Sequence, residues 1–89
     1  MTRIEKIRAA LEQALRPVRI EIEDESHLHA GHAGAESGRG HYKLLIVASV
    51  FQNLGPVQRH RVVYEALGTL MQSDIHALSI SARTPAEAP

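Results

Sequence analysis

Apolar residues recur at helical spacing near the start of the chain, at Ile4, Ile7, Leu11, Ala14 and Leu15. Charged residues fill most of the intervening positions, so the pattern predicts an amphipathic helix. Thr2 precedes Glu5 by three residues, a spacing typical of a capping box at a helix N-terminus. Pro17 is expected to end the helix, because proline cannot continue its hydrogen bonding.

The period then changes from helical to alternating. Apolar Val18, Ile20 and Ile22 alternate with charged residues, which predicts a first strand with one solvated face. A segment that begins at His41, HYKLLIVASVF, is apolar on both faces in its middle and predicts a more central second strand. Residues 24–40, DESHLHAGHAGAESGRG, have no sustained apolar period and are predicted to form a long loop.

The second half of the chain predicts another helix and another strand. Gly55 and Pro56 open the helix, whose predicted buried stripe consists of His60, Val63, Tyr64, Leu67, Leu70 and Met71. The segment IHALSISA predicts the third strand, with one face formed by His76, Leu78, Ile80 and Ala82. This order of helix, strand, strand, helix and strand predicts a single α+β domain over residues 1–85, with helices on one face of a three-stranded sheet. Residues 86–89 are expected to form a frayed tail.

Composition narrows the classes of function. The chain has 89 residues, its ten basic residues balance ten acidic ones, and it contains no cysteine. The overall field therefore gives no strong attraction to nucleic acid, and no thiolate of this chain can act as nucleophile or ligand. The first fifteen residues mix charges with apolar positions, unlike a signal peptide, and no apolar run approaches the roughly 18 residues of a membrane span. We expect a cytoplasmic protein without membrane association.

Motifs for catalysis and phosphate binding are weak. Asp24, Glu25, Ser26 and His27 are consecutive, and adjacency in sequence does not imply that they converge in space. The glycines of GHAG and GRG match neither a Walker loop nor a dinucleotide fingerprint. GHAG does match the GxxG clamp of KH modules, but it lies between predicted strands rather than between helices. We therefore expect a protein that is not an enzyme.

Histidines are the strongest candidates for chemistry. His27, His29 and His32 lie close together in HLHAGH, and neutral imidazole ligates zinc, iron and copper. Spacing alone favours polar loop residues over a complete metal site, because a closed zinc site without cysteine needs four converging histidine or carboxylate ligands. His76 is either a core residue or a ligand at the rim of the sheet. The remaining two, His60 and His41, are interpreted as structural.

The segments PVQRHRVVYEAL, IHALSI and RTP, together with IEDESHLHAGHAG upstream, resemble the BolA family. The resemblance extends from Ile4 to about Pro85. It implies a domain similar to class II KH folds, with a short helical turn near Phe51 to Leu54. Two departures from the family pattern are the additional residues Gly38 to Gly40 and Asn53, which stands where many relatives have glycine. Asparagine tolerates a left-handed conformation.

The resemblance also implies a function. BolA-like proteins bind monothiol glutaredoxins, and the heterodimer can hold a bridging [2Fe-2S] cluster for which the partner supplies a cysteine and a glutathione thiolate. On this basis the expected ligands of the present chain are His76 and, from the loop, His29, with His27 and His32 as alternates. No cluster is expected to bind tightly to the isolated chain, and a homodimer is left open.

A second function follows from the same resemblance, because bacterial BolA-like proteins have been linked to transcriptional control of morphology and stress response. The candidate phosphate contacts for DNA are Arg59, Arg61 and Arg83. Zero net charge and few aromatic residues make this the less favoured interpretation.

Overall fold

The structure is a computed structural model that describes residues 1–26 and 39–88. Its elements, in chain order, are α1 (Arg3–Leu15), β1 (Arg19–Asp24), β2 (Gly40–Val47), a 3₁₀ turn (Ser49–Phe51), α2 (Pro56–Leu67), α3 (Leu70–Ser73) and β3 (Ile75–Arg83). The predicted order of long helices and strands is confirmed. The expected helical turn after the second strand is present at Ser49–Phe51, so it ends where the expected span of Phe51 to Leu54 begins.

The three strands form one sheet in the order β1-β2-β3. β1 is antiparallel to β2, with Ile20 opposite Ile46, and β2 is parallel to β3, with Leu44 opposite Ile80. β2 is therefore the central strand, as its run of apolar residues predicts.

Helices α1 and α2 pack on the same face of the sheet and enclose the hydrophobic core. The largest fully buried side chains are Phe51, Ile7, Leu11, Leu44, Ile46, Ile75, Val47 and Val63. On β2 the core face alternates with a second face that carries His41, Lys43 and Leu45. This second face lies opposite the helices.

The two ends of α1 follow from local chemistry. The Glu5 backbone N–H donates to Thr2 Oγ1 at 3.1 Å, and the Thr2 N–H donates to Glu5 Oε1 at 3.0 Å, so the predicted capping box is present. The helix ends at Leu15, and Arg16 adopts a left-handed conformation with φ of 48° immediately before Pro17. Asn53 is also left-handed, with φ of 65°, as its expected tolerance allows.

Three sequence predictions about burial and helix length are wrong. The second helix does not continue to Met71: it ends at Leu67, because Gly68 takes φ of 54°, and the short α3 follows. Tyr64 is 40% exposed, since the core-facing side of α2 is occupied by its neighbours Val63 and Leu67. Val18 is 72% exposed because it precedes β1 at the edge of the sheet.

No helix in residues 1–26 or 39–88 is both long enough and apolar enough to cross a bilayer. The predicted cytoplasmic location stays a prediction.

Candidate functional site

His76 lies at a register shift at the start of β3. Gly40 pairs with Ile75, whereas His41 pairs with Ala77, so His76 is an additional residue in β3 without a direct partner in β2. Ile75 is buried and His76 is exposed. The prediction that His76 shares the core face with Leu78 fails here, because the additional residue interrupts the strict alternation of the strand. The shift instead presents an imidazole at the rim of the sheet.

The ring of His76 lies beside that of His41. The two ring centroids are 5.0 Å apart and the planes are tilted by 47°. His41 is only 8% exposed, and its position on β2 is on the face opposite the core residue Tyr42. The burial of His41 agrees with the structural role predicted for it. Its ring lies directly beside the ring of His76.

Arg39 contacts the same histidine. Its Nη2 is 3.4 Å from His76 Nδ1, and its Nη1 donates to the carbonyl of Gln72 at 3.4 Å. A guanidinium has donors and no acceptor, so Nδ1 accepts in this contact, and a neutral ring then carries its proton on Nε2. A permanent positive charge therefore lies against the candidate ligand.

The described residues on either side of the segment 27–38 lie at this place. At one end, Ser26 Oγ accepts a hydrogen bond of 3.0 Å from the His41 N–H, and the Glu25 N–H donates to the His41 carbonyl at 2.8 Å. At the other end, Arg39 reaches His76. The candidate ligands His27, His29 and His32 lie outside the described residues. The described residues on either side of them, Ser26 and Arg39, contact the His41 backbone and the His76 ring, respectively.

A buried acidic group lies next to the site and was missed by the sequence analysis. Asp74 Oδ2 accepts from Lys6 Nζ at 3.0 Å and lies 3.5 Å from Arg3 Nε, while Ser73 Oγ donates to Oδ1 at 2.5 Å. These contacts, of which the Ser73 hydrogen bond is the largest, lower the pKa of Asp74. The Asp74 carbonyl also accepts from the Gly40 N–H at 2.9 Å. Asp74 thus joins the N-terminus of α1 to the start of β2 and β3.

Tyr42 lies next to this cluster in the core, with 3% of its surface exposed. Burial, followed by the nearby negative charge of Asp24, raises the pKa of the Tyr42 phenol. The only sequence signal for the cluster is an aspartate directly before an apolar strand, which is also typical of an ordinary turn. Tyr42 lies on β2 and Asp74 directly precedes β3, so both belong to the scaffold that positions His76.

The donor set fits one part of an iron site. Among residues 1–26 and 39–88, no group of three or more histidine, cysteine or acidic side chains is arranged to hold a metal ion. The chain has no cysteine at all. Exposed imidazole is nevertheless a suitable iron ligand. His76 can therefore contribute one ligand to a shared centre, and the described residues alone do not complete one.

The three candidate DNA-contacting arginines have different surroundings. Arg59 donates to the carbonyls of Leu54 and Ala82 and forms a paired contact with the carboxylate of Glu87. Arg61 is exposed on α2, and Arg83 is exposed at the end of β3. A phosphate at Arg59 would compete with three protein partners, whereas Arg61 and Arg83 are exposed, with Arg83 Nε donating to Ser81 Oγ at 3.3 Å.

His60 is half-buried on α2. Its ring meets the ring of Tyr64 edge to face, with centroids 6.5 Å apart. This contact joins neighbouring turns of one helix and agrees with a structural interpretation.

Comparison with known proteins identifies the family. The model of the family described as BolA-like protein matches residues 11–87. BolA-like protein 1 of Mus musculus is 47% identical over 81 residues, which cover 91% of this chain and 57% of that protein. The DNA-binding transcriptional regulator BolA of Haemophilus influenzae is 38% identical, over 91% of this chain and 76% of that protein.

The fold comparison agrees. The solved BolA domain of SufE1 from Arabidopsis thaliana superposes with a TM-score of 0.86 and 44% sequence identity, covering 99% of this chain and 98% of that domain. This match also confirms the predicted α+β arrangement of helices and strands. The family model spans most of the chain, and relatives well above 30% identity match nearly all of it. The chain belongs to the BolA-like protein family.

Proposed function

We propose that this chain is a non-enzymatic adaptor that pairs with a monothiol glutaredoxin and supplies histidine ligands to a [2Fe-2S] cluster bridging the two proteins. The observation that carries the proposal is the exposed imidazole of His76, which lies at a register shift beside Arg39 and the ring of His41. Ser26 and Arg39, which precede and follow the histidine-rich segment in the chain, contact the His41 backbone and the His76 ring, respectively. Family membership supports the same function.

The loop ligand of this proposal is His29, with His27 and His32 as alternates. His29 follows Ser26 by three residues, so the covalent chain keeps their Cα atoms within about 11 Å. Ser26 is itself hydrogen-bonded to the backbone of His41, whose ring contacts His76. This connection supports a ligand pair made by His76 and one loop histidine.

The division of ligands has a chemical reason. Without cysteine, this chain depends on its partner for thiolates, which a glutaredoxin cysteine and glutathione would supply. Histidine in place of thiolate removes negative charge from the cluster and raises its reduction potential, as in Rieske centres. Such a centre differs in redox potential from an all-thiolate one, which suits cluster transfer or iron and redox sensing.

The test is to reconstitute the heterodimer from this chain, a monothiol glutaredoxin, glutathione and an iron-sulfur source. Visible absorption and circular dichroism spectra are compared for wild type, His76→Ala and each loop substitution, His29→Ala, His27→Ala and His32→Ala. His60→Ala is the matched control, because His60 packs on Tyr64 and lies on a different element. We expect His76→Ala and one loop substitution to change the spectrum. A His76→Ala spectrum identical to wild type would show that the ligand assignment is wrong.

A second candidate function is DNA binding. It is favoured by the Haemophilus influenzae relative, which is named as a DNA-binding transcriptional regulator, and by the exposed guanidinium groups of Arg61 and Arg83. Zero net charge and the engaged side chain of Arg59 count against it. A regulator would bind duplex DNA with an affinity that falls steeply with salt, and Arg61→Gln or Arg83→Gln would each reduce the slope by about one. Binding that is weak and insensitive to both substitutions would leave the adaptor as the function.

A further inference from the structure

Arg39 is a charged residue in direct contact with His76, and the proposed ligand role of that histidine does not account for this contact. The Arg39 guanidinium lies 3.4 Å from Nδ1 and also donates to the carbonyl of Gln72, in the last turn of α3. The side chain is therefore anchored at two points beside the ring. Arginine stays charged at any physiological pH, so this charge is permanent.

We propose that Arg39 is a specificity-determining residue that makes the His76 site discriminate against bare divalent cations. The inference rests on the proposed function only in taking His76 as a ligand. A cation bound to either ring nitrogen would lie within about 8 Å of the guanidinium, where repulsion between single and double positive charges is appreciable even in water. A cation at Nδ1 would in addition displace the Arg39 contact.

The net charge of a cluster with thiolate ligands differs from that of a bare divalent cation. Two ferric ions and two sulfides carry two positive charges in total, which two thiolates neutralise. Glutathione then adds two carboxylates and one ammonium, so the whole assembly is not positive. Arg39 does not repel such an assembly, and it repels zinc or ferrous ions that arrive alone. The site would thus favour a cluster delivered with its thiolates over adventitious metal.

The experiment measures Zn²⁺ binding to the isolated chain at low ionic strength by calorimetry, with the His76 ring signals in NMR spectra as the site-specific readout. Arg39→Gln removes the charge and keeps a donor, whereas Arg39→Lys keeps the charge. Arg83→Gln is the matched control: it makes the same change of charge at the other end of β3, about 23 Å from His76. Each substitution is made both in wild type and with His76→Ala, and circular dichroism verifies folding.

We expect Arg39→Gln to bind Zn²⁺ at His76 about tenfold more tightly than wild type, which corresponds to ~1.4 kcal/mol. This gain in Zn²⁺ affinity should decrease as the salt concentration rises. Arg39→Lys and Arg83→Gln should match wild type, and Arg39→Gln should have no effect when His76 is alanine. The proposal is overturned if Arg39→Gln leaves the affinity unchanged, if its effect persists without His76, or if Arg83→Gln has the same effect.

The two proposals fail separately. If the cluster spectrum of the heterodimer is independent of His76, the adaptor function is wrong, but the Zn²⁺ measurements on the isolated chain still decide the role of Arg39. If the cluster requires His76 and Arg39→Gln does not change Zn²⁺ affinity, only the role of Arg39 is wrong.

Discussion

Arg59 on α2 and Glu87 in the C-terminal segment form a bidentate ion pair, which links that segment to the helix. Arg59 Nη1 lies 2.6 Å from Glu87 Oε1, and Nη2 lies 3.1 Å from Oε2. The same guanidinium donates to the carbonyl of Leu54 at 2.8 Å and to that of Ala82 at 3.1 Å. Glu87 also accepts from the Thr84 N–H at 2.8 Å. The Arg59 side chain thus joins the turn before α2, the end of β3 and the C-terminal segment.

The carboxylate of Glu87 should make stability depend on pH in an acidic range. The hydrogen bonds from Arg59 and from the Thr84 backbone lower the pKa of Glu87 from 4.5 to about 2. Because the folded-state pKa lies below the unfolded one, the stabilisation is complete above pH 4.5 and is lost as the pH falls towards 2. We expect the Tm of Glu87→Gln to lie a few degrees below that of wild type at neutral pH. As the pH falls from 4.5 towards 2, the Tm of the variant should fall less than that of wild type.

Thermal melts followed by circular dichroism at closely spaced pH values make this comparison. Glu65→Gln is the control, since Glu65 is exposed on α2 and takes part in none of the salt bridges found in the described residues. Parallel Tm profiles for wild type and Glu87→Gln below pH 4.5 would contradict the assignment.

Asp74 gives a second stability prediction, at the other end of β3. Its carboxylate is held by Ser73, Lys6 and Arg3, and these contacts lower its pKa below the ordinary value of 3.8. The stabilisation is therefore complete above that value and is lost as the pH falls through the lowered folded-state pKa. We expect Asp74→Asn to cost about 1 kcal/mol in the free energy of unfolding at neutral pH.

Urea unfolding with a double-mutant cycle tests the Asp74 contact with Lys6. The substitutions Asp74→Asn and Lys6→Ala, alone and together, should show a favourable coupling energy at neutral pH. A coupling energy of zero would mean that the 3.0 Å contact between them does not stabilise the fold.

Local patterns in the sequence were sufficient to predict most of the fold. The capping box of Thr2 and the alternation of Ile20 and Ile22 depend on neighbouring residues, so they can be seen in one dimension. The break at Gly68 was missed because glycine inside a continuous apolar period is compatible with either a helix or its end.

The candidate site was predictable only in part. His76 was identified as a candidate from the sequence, but its exposure depends on a register shift between two strands that no local pattern reveals. The contact between Arg39 and His76 joins residues 37 positions apart and follows from tertiary structure alone. The same holds for the contact of Lys6 with Asp74, which are 68 positions apart.

Gly40, which pairs with Ile75 directly before the register shift, should not tolerate a side chain. A Cβ at this position would lie 2.5 Å from Tyr42 Oη and 2.6 Å from two ring carbons of the same buried tyrosine. We expect Gly40→Ala to destabilise the protein by about 1–3 kcal/mol, the usual cost of overpacking. Urea unfolding measures this loss of stability. Gly55→Ala is the matched control, because a Cβ added at Gly55 would have no atom within 4 Å. The expected cost of this substitution in the free energy of unfolding is about 0.5 kcal/mol. Equal costs for the two substitutions would contradict the contact with Tyr42.

The proposal that His76 is a ligand of a shared [2Fe-2S] cluster is tested most directly by pulsed EPR on the reduced heterodimer. The chain is labelled with ¹⁵N-histidine and the glutaredoxin is left unlabelled, so any ¹⁵N coupling to the cluster comes from this protein. We predict a coupling typical of a directly bound imidazole in wild type and its loss or reduction in His76→Ala, with His60→Ala unchanged. A wild-type cluster without histidine ¹⁵N coupling, or a coupling that His76→Ala leaves intact, would contradict the proposal.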